Sequence, residues 1–235
     1  MLNHSKYSFC LFMVLLSFST AIAQDTAMDK YRVLVEAIST KATVAFKAEI
    51  KVYENAVAKT SLIDQVQMDY RKLGKQLYVR QDQIELFKNK SNYLHIDNET
   101  KTIHQLQSSQ EGSTFPGLEV HQLEALVKLL SLEGRLYKTA DGLDGICFAA
   151  TGKSATKFEV VYDATSNCIL ETTTIIDLSS DGELTHPLNG KKVAISFSDY
   201  QFKDVALPSK LVDINRHISR NGKNQSTYNG YQIIR

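Results

Sequence analysis

Two histidines are the residues best placed by type and spacing to do chemistry in this chain. A four-residue turn at 98–101 separates the segments that carry them. If strands pair across that turn, His95 lies directly opposite His104, and two imidazoles about 5 Å apart can chelate a metal ion. Glu85 or Asp97 would have to complete such a site. The sequence therefore favours solvated histidines over a metal centre.

A second candidate, Gly152-Lys153-Ser154, resembles the end of a phosphate-binding loop. Such a loop needs a glycine where this chain has Cys147, and a helix must follow it. Because an alternating strand pattern follows instead, we interpret the tripeptide as a hairpin turn. The sequence also contains no Gly-x-Ser-x-Gly, His-Glu-x-x-His or Cys-x-x-Cys motif. It predicts no enzyme, no cofactor and no metal.

The N-terminal residues have the pattern of an export signal. Lys6 gives a positive start, residues 9–18 form an apolar run too short to span a bilayer, and Ala21-Ile22-Ala23 is a small-residue cleavage site. We expect residues 1–23 to be removed. The remaining chain, residues 24–235, is predicted to be one soluble domain located in the periplasm.

Cys147 and Cys168 are the cysteines that remain after this cleavage. An exported protein can form disulfides, so pairing is one alternative. A strand at Phe158–Asp163 lies between them, however, and two strand spacings exceed the Cα separation of a disulfide. We expect two buried free thiols.

Composition limits the range of partners. Removing residues 1–23 takes one lysine and no acid, so the formal charge falls from +1 to 0. A neutral chain is a poor electrostatic match for nucleic acid or for an anionic membrane surface. We therefore predict no nucleic-acid partner.

Most of the chain alternates apolar and polar residues with the period of a half-buried strand. In 44–52 and 65–71 the predicted inward residues are Val44, Phe46, Ile50, Val66 and Met68, and the outward ones are Lys47, Glu49, Gln65 and Gln67. Further strands are predicted at Gln76–Gln81, Gln83–Lys88, Tyr93–Asp97, Thr102–Leu106, Ile146–Thr151, Phe158–Asp163, Ile169–Leu178, Lys192–Tyr200, Lys210–Ser219 and Tyr228–Ile234.

Two segments have helical spacing instead. The first begins near Thr26, and the second begins near Val120 and ends at Glu133-Gly134. Short connections between strands favour antiparallel pairing, and a sheet this wide must curl. The predicted fold is mainly β with two helices (α+β): one large curled antiparallel sheet, a half-barrel, whose concave face the helices cover.

This layout resembles the LolA/LolB-like carriers of bacterial lipoprotein sorting. The order of a signal peptide, a short helix, a strand ladder, a second helix and a closing meander is similar. The most similar stretches are Gln76–Arg80 with Ile84–Thr102, Ile195–Tyr200 and Leu207–Leu211. In place of the family's usual Asp-Gly turn, the chain has Lys88-Asn89-Lys90-Ser91.

The resemblance implies an apolar groove that shields acyl chains from water. It also implies a buried arginine, for which Arg80 is the candidate. Burying about 14 methylenes at ~0.8 kcal/mol each gives at most about 11 kcal/mol without any catalytic residue. The predicted groove residues are Val44, Phe46, Ile50, Met68, Leu77, Leu94, Leu123, Leu126, Val127 and Leu130. Alternatively, these residues simply pack against each other as a closed core.

We therefore expect an exported carrier for a lipid or for the acyl chain of a lipoprotein, with membrane-associated donor or acceptor proteins as further partners. The second helix, beside the polar stretch 108–117 and Gly134, would be its movable cover. The alternative function is an exported protein-interaction or envelope-structural module with the same fold and a closed core.

Overall fold

A computed structural model describes residues 26–54, 61–89, 93–106, 119–151, 155–177, 190–211, 228 and 230–234. The predicted signal peptide, the polar stretch 108–117 and the Gly152-Lys153-Ser154 turn lie outside these residues. Signal cleavage and a single domain over residues 24–235 stay predictions.

The described residues form two helices of more than one turn and twelve strands. Helix α1 covers 26–39 and helix α2 covers Val120–Leu129. The strands are β1 (Thr43–Tyr53), β2 (Leu62–Leu73), β3 (Gln76–Gln81), β4 (Ile84–Lys88), β5 (Tyr93–Asp97), β6 (Thr102–Leu106), β7 (Leu132–Lys138), β8 (Asp144–Ala150), β9 (Lys157–Asp163), β10 (Cys168–Ile175), β11 (Lys192–Gln201) and β12 (Gln232–Ile234).

The strands belong to one sheet in the order β12-β6-β5-β4-β3-β2-β1-β11-β10-β9-β8-β7. The consecutive hairpins from β2 to β6 and from β7 to β10 are antiparallel. The predicted class, mainly β with two helices and a large open sheet, is confirmed. One detail differs: β12 returns to the edge and pairs with β6 in parallel.

The chain divides into two compact units. The first comprises Met1–Ala37, Val52–Ile63 and Gly117–Ala194, and the second comprises Ile38–Lys51, Asp64–Pro116 and Ile195–Arg235.

In the first unit, α1 packs on the sheet formed by β7 to β10. Tyr31 is fully buried and meets Phe158 edge-to-face, with ring centroids 5.6 Å apart. Arg32 ties α1 to α2 through Glu124, at 2.6 Å. Both cysteines are buried and free, on β8 and β10 with β9 between them, so the predicted strand separation is confirmed.

Strand β7 was not predicted, because Gly134 was interpreted as a helix end. Its true role is close packing: a Cβ at Gly134 would lie 2.9 Å from the Phe148 ring and 3.1 Å from the Ala27 side chain. Glycine lets α1 approach the sheet here. The predicted strand Lys210–Ser219 is wrong at its start, because residues 210–211 are helical, and its remainder lies outside the described residues.

In the second unit, a hydrophobic cluster covers one face of β3 to β6. Its buried members are Tyr78, Phe87, Leu94, Ile96, Ile103, Leu211 and Tyr228. Two of them come from the C-terminal segment, which therefore completes this core.

Candidate ligand-binding site

The second unit presents a largely apolar surface on the opposite face of β1 to β4, where Lys72, Gln81 and Lys88 are the polar exceptions on β2 to β4. Phe46 of β1 stacks on Tyr70 of β2, with ring centroids 4.5 Å apart and planes inclined by 10°. Because side chains alternate along a strand, Val44 and Ile50 share the face of Phe46, and Met68 shares that of Tyr70. The stacked pair thus places these side chains of the two strands on one face of the sheet.

The strand ladder carries this surface further. Tyr70 pairs with Val79, and Val79 pairs with Leu86, so these three side chains lie on one face. We call this surface the apolar face. It consists of Val44, Phe46, Ala48, Ile50, Val66, Met68, Tyr70, Leu77, Val79, Ile84 and Leu86.

Burial divides the apolar face into two parts. Phe46, Tyr70 and Val79 are buried, as are Val44, Ala48 and Leu77. The other members are only half-buried, and we call them the half-buried row: Ile50, Val66, Met68, Ile84 and Leu86. Half of the apolar face is therefore covered by protein, and the other half retains access to solvent.

The reverse side of β1 and β2 is polar, as predicted. The side-chain amides of Gln65 and Gln67 donate to Glu49 Oε1 at 2.7 and 2.8 Å. Lys47 is exposed on the same side and lies 2.8 Å from Asp199. The predicted alternation of inward and outward residues is confirmed for these two strands.

The structure brings five of the ten predicted groove residues together. Val44, Phe46, Ile50, Met68 and Leu77 all lie on the apolar face.

Leu94 lies on the opposite side of the sheet. It pairs with Phe87, whereas its neighbour His95 pairs with Leu86 of the apolar face. Leu94 is fully buried in the cluster with Phe87 and Ile96.

The other four predicted groove residues belong to α2 or follow it directly, in the first unit. Leu123 and Val127 are buried, while Leu126 and Leu130 are half-buried. A capping box of Glu119 and Gln122 begins the helix. The apolar stripe predicted for α2 therefore exists, but its role as a groove cover stays a prediction.

Arg80 is not the buried arginine that the resemblance implied. It is exposed on β3, and its Nε donates to the carbonyl oxygen of Asp82 at 3.2 Å. The position lies at the end of the β3–β4 hairpin, where the guanidinium reaches the turn and water.

A cavity of about 410 Å³ lies in the second unit, on the polar side of β1 and β2. Its walls include two ion pairs: Lys47 with Asp199 at 2.8 Å and Arg71 with Asp69 at 2.7 Å. Arg71 also donates to the Ala206 carbonyl at 3.0 Å. Each hydrogen-bonded carboxylate raises the pKa of its cation. The cations are occupied by these pairs, so this cavity is a weak match for an acyl chain or for an anion.

A buried polar network in the second unit escaped the sequence analysis. Glu85 is only 2% exposed. It accepts hydrogen bonds from Tyr78 Oη at 3.1 Å, Asn98 Nδ2 at 2.9 Å and Lys210 Nζ at 2.6 Å. Burial, together with the charge of Glu85, raises the pKa of Tyr78. This network joins the C-terminal segment to the β4–β5 hairpin.

The predicted pairing of His95 with His104 is confirmed, and their ring centroids lie 5.8 Å apart. Within the described ranges, no group of three or more His, Cys, Asp or Glu side chains is placed to hold a metal ion. No helix in this part of the chain is long and apolar enough to cross a membrane.

Comparison with known proteins finds similar solved structures at low sequence identity. No protein-family model matches the chain, and no curated protein matches it. Similar solved structures include an uncharacterised conserved protein from Thermus thermophilus at 8% identity, with a TM-score of 0.43 over 87% of this chain and 98% of that chain.

Two further structures carry the predicted family resemblance. A domain assigned to outer membrane lipoprotein sorting from Vibrio parahaemolyticus is 11% identical, with a TM-score of 0.33 over 83% of this chain and 98% of that one. A LolA superfamily protein from Nitrosomonas europaea is 11% identical, with a TM-score of 0.31 over 80% and 96%. At these identities and TM-scores, the two structures carry no argument about the function of this chain.

Proposed function

We propose that the protein is an exported carrier that binds the acyl chain of a lipid or lipoprotein on its apolar face. The observation that supports this function is the half-buried row. Ile50, Met68 and Ile84 lie on three different strands of one sheet face, next to the buried pair of Phe46 and Tyr70. On β3 the position between Met68 and Ile84 is the exposed Gln81, so an extended chain that crosses the strands has apolar contact on β1, β2 and β4.

The row has the dimensions of an acyl-chain site. From β1 to β4 there are three strand spacings of about 4.8 Å, which is roughly 14 Å. Binding there needs no catalytic group, because each methylene removed from water contributes about 0.8 kcal/mol.

The polar side of the same strands does not compete for such a ligand. That side carries the solvent-accessible polar groups of Glu49 and Lys47, which contact Gln65, Gln67 and Asp199. An apolar ligand would leave these groups without water, at a cost of several kcal/mol.

Binding of a fluorescent fatty acid to the purified protein tests the proposal. Met68→Gln keeps the length of the side chain but places an amide in the row. Since an unpaired amide costs about 1–3 kcal/mol on desolvation and 1.4 kcal/mol is tenfold in affinity, we expect binding about tenfold weaker.

The matched control is Gln67→Ala, one residue away on the polar side, which should bind the probe like wild type. A folded Met68→Gln variant with wild-type affinity would place the ligand elsewhere. If the wild-type protein binds neither the probe nor a lipid detectable by native mass spectrometry, the carrier function is wrong, and the interaction module becomes the better account.

A further inference from the structure

Strand β7 is the last strand of the sheet, and among the described residues it pairs only with β8. The outward N–H and C=O groups of an edge strand are a template for another strand. The β7–β8 register runs through seven pairs, from Leu132↔Ala150 to Lys138↔Asp144, without a shift. The edge is therefore regular along its whole length.

Strand β7 lacks two of the usual protections of an edge strand, because it contains no proline and no bulge. Three of its seven residues are charged, namely Glu133, Arg135 and Lys138. Its terminal Lys138 is paired with Asp144 at 2.8 Å, so this positive charge is already compensated within the chain. Leu136 is 46% exposed, although it pairs with the buried Ile146. Leu136 is thus an exposed apolar side chain on a strand edge that no other described residue pairs with.

We infer that β7 pairs antiparallel with β7 of a second copy of this chain, about a twofold axis through Gly134. In this register Glu133 of each copy lies opposite Arg135 of the other, and Leu132 lies opposite Leu136. Both ionic side chains are exposed and point to the same side of the sheet. Two opposite-charge pairs and two leucine pairs result.

The neighbouring registers either set like charges opposite each other or form no ion pair. A twofold axis through Arg135 sets two arginines against each other, and an axis through Glu133 does the same with two glutamates. Like charges directly opposite each other destabilise strand pairing. An axis through Leu136 sets Arg135 against Tyr137 and forms no ion pair. The register centred on Gly134 is thus the one that the charges of β7 complement.

This pairing is independent of the apolar face, because β7 belongs to the first unit and the half-buried row to the second. Its failure would leave the proposed lipid binding untouched, and the reverse also holds.

Sedimentation velocity of the protein comprising residues 24–235, measured over a concentration series, tests the inference. Wild type should shift from monomer to dimer as concentration rises. Arg135→Glu and Glu133→Arg should each remain monomeric, weakening association at least tenfold, because each sets two like charges opposite each other. Arg135 pairs with Cys147 of β8, which in turn pairs with Glu159 of β9, so a change at Arg135 also alters the charge near Glu159. Glu133→Arg is therefore the variant less expected to disturb folding.

Two restorations make the test specific to this register. The double variant Glu133→Arg/Arg135→Glu should dimerise like wild type. An equimolar mixture of the two monomeric single variants should form a heterodimer, since every Glu then faces an Arg. Lys203→Glu, an exposed charge reversal in the second unit, is the control and should dimerise normally. A wild-type monomer at all concentrations, or a mixture that stays monomeric, would overturn the inference.

Discussion

The ammonium of Lys210 lies 2.6 Å from the carboxylate of Glu85, although 125 residues separate them in the sequence. Glu85 is buried in the second unit, whereas the Lys210 side chain keeps 26% of its exposure. The pair anchors the C-terminal segment beside the cluster that contains Tyr78 and Leu211. An internal charge of this kind is stable only while its partner remains in place.

Removing that partner should destabilise the protein. Lys210→Met leaves Glu85 with its neutral donors, Tyr78 and Asn98. Breaking a fully buried pair costs about 3–5 kcal/mol, and the partial exposure of Lys210 reduces this to about 2 kcal/mol. Urea unfolding measures the loss.

The double variant Glu85→Gln/Lys210→Met is the informative control, because it removes the buried charge together with its partner. It should be more stable than Lys210→Met alone. Equal loss in both variants would show that packing of the lysine stem, and not the ion pair, holds the segment.

The sequence could not reveal this pair. Glu85 alternates with Ile84 and Leu86 like an outward polar residue, and its burial depends on a segment that returns more than a hundred residues later. The same limit applies to Leu94. Both faces of β3 to β6 carry apolar residues, so alternation alone could not say which face continued from Phe46.

Apolar–polar alternation predicted side-chain orientation correctly in strands that have one mainly apolar and one mainly polar face. In β1 and β2 most polar residues fall on one side, with Asp64 and Lys72 as exceptions, and the predicted orientation is confirmed by the contacts of Glu49 with Gln65 and Gln67. The His95–His104 pairing was predictable because a short turn sets the register of its hairpin. The interpretation of Gly134 as a helix end was wrong, because a glycine after a helical pattern ordinarily marks the end of the helix.

Gly134 gives a second prediction. Gly134→Ala would force its Cβ to within 2.9 Å of Phe148 and 3.1 Å of Ala27, so α1 or the ring must move. Overpacking of this size costs about 1–3 kcal/mol. The double variant Ala27→Gly/Gly134→Ala relieves one of the two contacts. A double-mutant cycle measured by thermal unfolding should therefore show favourable coupling. Simple additivity would argue against a steric cause.

The two thiols give a third prediction. Burial raises the pKa of Cys147, which disfavours its reactive thiolate. The folded protein, prepared without residues 1–23, should therefore react slowly with a thiol reagent at pH 8, and in denaturant both Cys147 and Cys168 should react at once. Intact-mass analysis under non-reducing conditions should count two free thiols. A mass lower by two hydrogens would show the disulfide that the strand order disfavours.

Acid stability provides the last prediction. The backbone N–H of Thr100, followed by other hydrogen bonds of its turn, lowers the pKa of Asp97. The hydroxyl of Ser166 and the N–H of Thr165 lower the pKa of Asp163 in the same way. A carboxyl whose folded pKa lies below its unfolded value, about 3.9, stabilises the fold above that value. The stabilisation is lost as the pH falls through the folded pKa, because the unfolded chain binds more protons.

Unfolding free energy should therefore decrease as the pH is lowered from 5 toward 2. Asp97→Ala and Asp163→Ala should each be less stable than wild type at pH 7 and should lose less stability over this acid range. Asp97→Asn keeps a side-chain oxygen that can accept from the N–H groups of Glu99 and Thr100 but has no carboxyl to titrate, so this matched variant should show the same reduced acid slope as Asp97→Ala. Parallel acid curves for Asp97→Ala and wild type would mean that the carboxylate of this turn contributes nothing to stability through its charge.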